Sequence, residues 1–207
     1  MAAQQNGFFK NEIIPVSLAQ KKGEPLIIEK DEGPRSDTTL EKLAVLKPAF
    51  RKNGTVTAGN SSTLNDGASC LLIASESAVK KYHLSPIARY IGSATAGVDP
   101  RYMGIGPVSA IKKLLEKKGI SKNSIDLIEL NEAFAAQSLS VIRLLDLDPQ
   151  KINIHGGAIA LGHPLGCSGA RITTTLLHAM KKNHVQIGLA SLCIGVGQGI
   201  ATLFESV

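Results

Sequence analysis

The chain has 207 residues, enough for one sizeable domain with an appendage and for a buried core. At 43% hydrophobic and 19% charged it is globular and not disordered, and with 4% aromatic residues and no Trp its core must be aliphatic. The net charge of +6 admits a phosphorylated small molecule or an anionic surface as partner. The lysines, however, come as short pairs late in predicted helices, such as Lys117-Lys118 and Lys181-Lys182, which is a solvated face and no nucleic-acid module.

In chain order, residues 1–6 read as the end of a helix stopped by Gly7, so the chain opens inside an element and suggests a piece of something longer. No signal-peptide pattern starts at Met1, and no apolar run is long enough to span a bilayer. Residues 13–18 and 25–29 are β-rich runs joined at Lys21-Lys22-Gly23, a hairpin. After a polar loop over 31–37, Thr38-Thr39-Leu40-Glu41 has the form of a capping box and opens a short helix ending before Pro48. Residues 54–67 are small, polar and rich in Gly, a loop with many exposed amides.

Past Asp66-Gly67 the texture becomes regular. Residues 70–74 read as a buried strand, 76–82 as a helix and 88–94 as a second strand. Val108, Ile111 and Leu115 recur at helical spacing behind Pro107, a favoured first-turn residue. Residues 125–130 give a third strand. Ala135, Leu139 and Ile142 mark one helix, and Ile172, Leu176 and Met180 another. Residues 187–193 and 199–204 close the chain as a hairpin-like pair of strands, so the class is layered α/β.

Three places carry residues suited to chemistry. Asn131-Glu132 lies between a strand and a helix, where open α/β sheets place ligands, although Asn is equally a favoured helix cap. His163 is wedged between Gly162 and Pro164 just before a helix. Cys193 ends a buried strand ahead of Gly195, Gly197 and Gly199; such a cysteine is either inert or reactive, and the glycines admit close approach of a ligand to backbone amides. An imidazole, a carboxamide and a thiol beside small residues suit carbon–carbon bond chemistry next to a carbonyl. Two other readings compete. Gly195-Val196-Gly197 has part of a dinucleotide loop, but a strand follows it and no acidic residue lies about 20 positions on. Cys167 or Cys193 with His163 forms a protease-like pair without a local signature. The three cysteines, Cys70, Cys167 and Cys193, are odd in number, sparse and lack C-x-x-C spacing, which argues against a disulfide framework or zinc site and for a reducing, cytoplasmic setting.

Taken together, several blocks resemble the thiolase family: residues 54–62, Asn65-Asp66-Gly67-Ala68, Asp99-Pro100-Arg101-Tyr102-Met103-Gly104, Asn131-Glu132-Ala133-Phe134-Ala135-Ala136-Gln137, residues 156–169 and residues 193–199. They occur in family order along nearly the whole chain. The ending Cys193-Ile194-Gly195-Val196-Gly197-Gln198-Gly199 is most similar to bacterial 3-oxoacyl-CoA and 3-oxoadipyl-CoA thiolases. The resemblance implies two βαβαβαββ halves in a five-layered αβαβα fold with a loop domain inserted in the first half. Residues 1–64 would then be the end of the loop domain, and 65–207 the second half with a mixed five-stranded sheet.

The family's acylated cysteine lies in the first half, and none of Cys70, Cys167 or Cys193 fits its motif. The resemblance therefore implies a thiolase part that is inactive alone: a subunit of a two-chain enzyme, or a non-catalytic association module. It gives His163 the task of activating the absent thiolate. His163 and a water held by Asn131 would stabilise the acetyl-CoA enolate, Cys193 would move the proton at the acetyl carbon, and the Gly195 amide would serve a second oxyanion hole. Coenzyme A is implied as substrate, with no covalent cofactor and no metal. Ala58, Ser62, Met103 and Phe134 would lie along the pantetheine arm, and Arg35 near the nucleotide. The implied partners are acyl-CoA, the missing half and further copies in a homo-oligomer.

Overall fold

The computed structural model describes all 207 residues, Met1–Val207. Its elements are α1 (Ala2–Gln5), β1 (Val16–Leu18), β2 (Leu26–Ile28), α2 (Leu40–Ala44), α3 (Glu76–Tyr82), β3 (Ala88–Gly97), α4 (Gly106–Lys118), β4 (Leu127–Leu130), α5 (Ala135–Leu145), α6 (Ala158–Leu161), α7 (Ser168–Asn183), β5 (Ile187–Ile194) and β6 (Gln198–Ser206).

The main sheet has the order β3-β6-β5-β4, with β4 parallel to β5 and the other neighbours antiparallel. Period-2 alternation divides it between two layers. Ile128 and Leu130 face one side, with Ile111 and Leu114 of α4, Val141 and Leu145 of α5, and Leu189 and Leu203. Leu127 and Ala190 face the other, against Ile172, Leu176, Ala179 and Met180 of α7. Those α7 positions fall on one helical face, the stripe the sequence spacing announces. Ile111, Leu114 and Leu176 are fully buried, and each contributes roughly 1.5–3 kcal/mol of apolar burial. At the head of α4, the backbones of Gly106 and Gly199 approach so closely that a Cβ on either would strike the other.

The fold class is the expected mixed α/β, with two corrections. The sheet has four strands, not five. Beside β4 a single parallel bridge joins Ile152 to Ile128, and the Asn153 side chain caps this edge by bonding both the N–H and the C=O of Leu130 at 2.8 Å. The expected buried strand over 70–74 is not in the sheet: no backbone hydrogen bond involves residues 65–74. There Leu72 and Ile73 are 84% and 88% exposed. An apolar run becomes a buried strand only where a neighbouring edge and a covering layer receive it, and this one has neither.

The first 64 residues form the expected hairpin, with Val16 opposite Ile28, and the short helix α2. The cap of α2 is Thr39, whose hydroxyl accepts from the Lys42 amide at 3.3 Å; the Thr38–Glu41 box of the sequence reading does not form. A reciprocal box occurs instead at Thr57 and Asn60, around a 3-10 turn over Ala58–Asn60. The arm before β1 packs on the body: Phe8 stacks on His155 with Lys182 over its ring, and Glu12 accepts from Thr175 of α7.

Candidate active site

At the carboxyl ends of β4 and β5 a cavity of about 910 Å³ opens between the sheet, α7 and the 49–64 segment. His163 lines it. Gly162, at φ +94°, ends α6 and turns the chain past the side chain of Asn65, which occupies the space of an added Cβ. The His163 amide is then anchored on the Thr63 carbonyl at 2.9 Å. Its ring is held at both nitrogens, with Nδ1 2.6 Å from Ser168 Oγ and Nε2 3.3 Å from Asn131 Nδ2. Burial, and next the positive charge of Arg171, press the His163 pKa below the ordinary histidine value, so the ring is neutral at neutral pH.

Asn131 follows β4 directly, and its amide continues the ladder by donating to the Ser191 carbonyl at 3.0 Å. It is 1% exposed and does not cap a helix: α5 starts at Ala135 behind Phe134. Of the two roles left open by sequence, the helix cap is not the one it fills. Asn131 Oδ1 is buried with no partner. Next to it, Glu132 accepts from the Ile159 amide and from Asn153 Nδ2, both at 3.1 Å, which ties the end of β4 to α6.

Cys193 lies near the end of β5, 7% exposed, and lines the same cavity as His163 and Gly195. Burial pushes its thiol above the usual cysteine range, so it is a proton carrier more than a thiolate at neutral pH. The hairpin from β5 to β6 turns at Val196 and Gly197, both at positive φ. Being a hairpin between antiparallel strands, it is no dinucleotide loop. Cys167 lies outside this cavity, and both His163 ring nitrogens face other partners, which leaves no Cys167–His163 dyad.

Ala58, Ser62, Met103 and Phe134 all line the cavity. Ser62 is stitched to the Ala133 carbonyl through its amide and hydroxyl, at 3.0 and 3.1 Å, which brings the 54–67 loop onto the residues after β4. Arg35 is not brought there: it is exposed and outside the lining. Phe50 escaped the sequence reading. It meets Phe134 edge-on at 5.8 Å on the cavity wall. An apolar ring in a basic, glycine-bearing stretch was the available signal.

A second cluster lies at the α7 face of the sheet, behind the cavity. Burial raises Glu129 to about 8 and Glu12 to about 7, while Arg171 works against both shifts. Two nitrogens of Arg171 and Oε2 of Glu12 are buried without partners.

The family model "Thiolase, C-terminal domain" matches residues 84–206, and "Thiolase, N-terminal domain" matches residues 1–77. A probable acetyl-CoA acyltransferase of Staphylococcus aureus strain NCTC 8325 / PS 47 is 55% identical over 201 residues, 97% of this chain and 51% of that protein. The crystal structure of the Bacillus anthracis acetyl-CoA acetyltransferase superposes with a TM-score of 0.96 at 50% identity, covering 100% of this chain and 52% of that one. Human mitochondrial 3-ketoacyl-CoA thiolase in complex with CoA gives a TM-score of 0.90 at 46% identity, covering 100% of this chain and 51% of that one. The chain spans about half the length of the curated relatives it matches. No helix is long and apolar enough to cross a membrane.

Proposed function

Since the chain belongs to the thiolase family, we propose that it supplies the enolate-handling half of a CoA-dependent acyltransferase that cleaves, or in reverse forms, 3-oxoacyl-CoA. The observation that carries this is the shared cavity: a neutral His163 held by Asn131, facing the same space as the Cys193 thiol and the Gly195 backbone. His163 Nε2 takes the proton of a cysteine thiol from a complementary first half, the thiolate so formed attacks the 3-oxo carbon, and the imidazolium now carries an Nε2–H. The bond between C2 and C3 breaks and its electron pair passes to the acetyl-CoA enolate. His163 and a water on Asn131 stabilise the enolate oxygen, and the Cys193 thiol delivers its proton to C2. The thiol of CoA then gives its proton to the Cys193 thiolate and attacks the acyl-enzyme, the Gly195 amide supports that oxyanion, and the departing cysteine thiolate recovers its proton from His163. Ala58, Ser62, Met103 and Phe134, with Phe50, line the pantetheine arm, and Arg35 serves the nucleotide end.

In this reading residues 1–64 are the CoA-contacting part, residues 65–207 hold the catalytic groups, and the assembled enzyme is an oligomer acting in the cytoplasm. The chain alone is inactive, because none of its three cysteines is the acylated one. The unpaired run at 70–74 favours association with a first half: it presents free backbone groups and exposed Leu72 and Ile73, and the N-terminal domain match extends through it. A half that binds without restoring chemistry is the second reading, that of a non-catalytic association module.

The test is acetoacetyl-CoA cleavage by the purified chain with and without a separately expressed first half. We expect no turnover alone and turnover on mixing. Turnover at enzymatic rates by the chain alone overturns the inactivity, and a tight but silent complex favours the association module.

A further inference from the structure

We propose that Ser168 is a positioning residue that holds His163 in its Nδ1–H tautomer, leaving the Nε2 lone pair as the acceptor in the site. Ser168 is the first residue of α7 and is completely buried. Its hydroxyl has one proton to give. Two groups lie within bonding distance: His163 Nδ1 at 2.6 Å and the Pro164 carbonyl at 3.0 Å. The carbonyl only accepts, so the serine proton belongs to it, and the oxygen is left to accept from Nδ1–H. At the other ring nitrogen stands Asn131 Nδ2, which only donates, at 3.3 Å. One arrangement satisfies all three contacts: Nδ1–H donates to Ser168, Ser168 donates to Pro164, and Asn131 donates to Nε2.

The opposite tautomer costs more. Ser168 would have to turn its proton from Pro164 to Nδ1, and Nε2–H would point at an amide N–H unless Asn131 turned over. That change trades one buried unpaired atom of Asn131 for another and still forfeits the bond to Pro164. Burial and the charge of Arg171 keep the ring uncharged, so the tautomer decides what His163 presents. Pro164 fits the device. Its carbonyl also accepts the Cys167 and Ser168 amides at 2.9 Å, which fixes it at the head of α7. The histidine, the serine and their shared carbonyl are thus one rigid turn.

The use of the lone pair rests on the thiolase reading, but the tautomer does not, and the experiment separates them. Long-range ¹H–¹⁵N correlation on histidine-labelled protein reads the protonation of each ring nitrogen. His163 is one of five histidines and is assigned by its loss in His163→Phe. The spectrum is recorded on the 207-residue chain and on its complex with a first half. We expect a protonated Nδ1 and a bare Nε2 at neutral pH, retention of this pattern in Ser168→Thr, and a mixture or reversal in Ser168→Ala. A wild-type Nε2–H tautomer overturns the proposal even if Ser168→Ala fails to fold, and so does a Ser168→Ala ring with an unchanged tautomer. In the active complex, Ser168→Ala should lower the cleavage rate about 10-fold or more with little change in KM for CoA. Loss of activity with the tautomer intact would make Ser168 merely structural. The tautomer result stands even if no first half restores turnover.

Discussion

Residues 127–130 and 70–74 are both short apolar runs, Leu-Ile-Glu-Leu and Cys-Leu-Leu-Ile-Ala, and they meet opposite fates. In the first, all four side chains are buried, even the carboxylate of Glu129, because β4 is laddered to β5 and covered on both faces by helices. The second has no ladder and no cover, and Leu72 and Ile73 stand in solvent. Composition nominates a strand; backbone partners and a second layer decide whether it is buried. The buried run sets Asn131 at its end, within bonding distance of His163, whereas the open run leaves its backbone groups unpaired.

The largest effect expected is on stability, and it should divide the two runs. Leu130→Ala removes a fully packed side chain and should cost about 2–5 kcal/mol in denaturant unfolding. Leu72→Ala should change stability by less than about 0.5 kcal/mol, as at other exposed sites. Its effect should appear in affinity for a first half. Equal losses of stability at both positions would mean that the open run is packed in solution.

Within the site at the end of the buried run, His163→Ala and Cys193→Ala should separate the steps in an enzyme carrying the first half. Each should slow cleavage of acetoacetyl-CoA by about 10²-fold or more. His163→Ala should also slow acetyl exchange between enzyme and labelled CoA, because in the proposed mechanism His163 activates the nucleophile. Cys193→Ala should spare that exchange. Equal loss of both reactions in folded Cys193→Ala removes its role as proton shuttle, and retention of both makes it the inert cysteine at the end of a strand.

Much of this was open to sequence reading. The stripes at Val108, Ile111 and Leu115 and at Ile172, Leu176 and Met180 became α4 and α7, and the closing strands became β5 and β6. His163, Asn131, Cys193 and Gly195 sit together because each follows or precedes an element whose periodicity is plain. What was hidden depends on atoms rather than patterns. Thr39 caps α2 in place of Thr38, with an extended backbone and a hydroxyl that accepts from the Lys42 amide. Ser168 looks like any first-turn serine until its two partners are measured. Glu129 falls where alternation calls for an apolar residue, and sequence alone gives no view of Glu12 and Arg171 arriving from distant segments.

That buried carboxylate yields the next contrast, in pH dependence. The raised pKa means the folded chain holds its proton between about 4.5 and about 8, while the unfolded chain has already released it. Stability from this source is therefore complete at the acid end and is lost as pH rises through that window. Glu129→Gln keeps the shape and removes the titration. It should flatten the slope and gain about 2 kcal/mol above pH 8, a discount on about 1.4 kcal/mol per pKa unit for the coupling to Glu12 and Arg171. An unchanged slope would place the proton elsewhere.

The smallest effect expected tests whether the ordered region stores strain that the open run does not. Val196 sits at the tip of the hairpin from β5 to β6 at φ +61°. This is the left-handed region, where a β-branched residue is a genuine outlier costing roughly 1–2 kcal/mol. No packing repays that cost, since the side chain is 80% exposed. The turn is held from outside: Val98 donates to the Gly197 carbonyl at 2.7 Å, and Gly197 lies against Val98 and Pro100. Val196→Gly releases the strain but gives the unfolded chain more freedom, worth about 0.5–1 kcal/mol against it. The net expectation is a gain of about 0.5–1 kcal/mol in unfolding free energy. Val196 directly follows Gly195, which lines the cavity and whose amide is proposed above to serve an oxyanion. A looser turn should therefore weaken oxyanion binding, and the stabilised variant should cleave more slowly in the assembled enzyme. A Val196→Gly protein that is less stable would show that the turn is relaxed; one that is more stable with full activity would show that the strain has no part in placing Gly195.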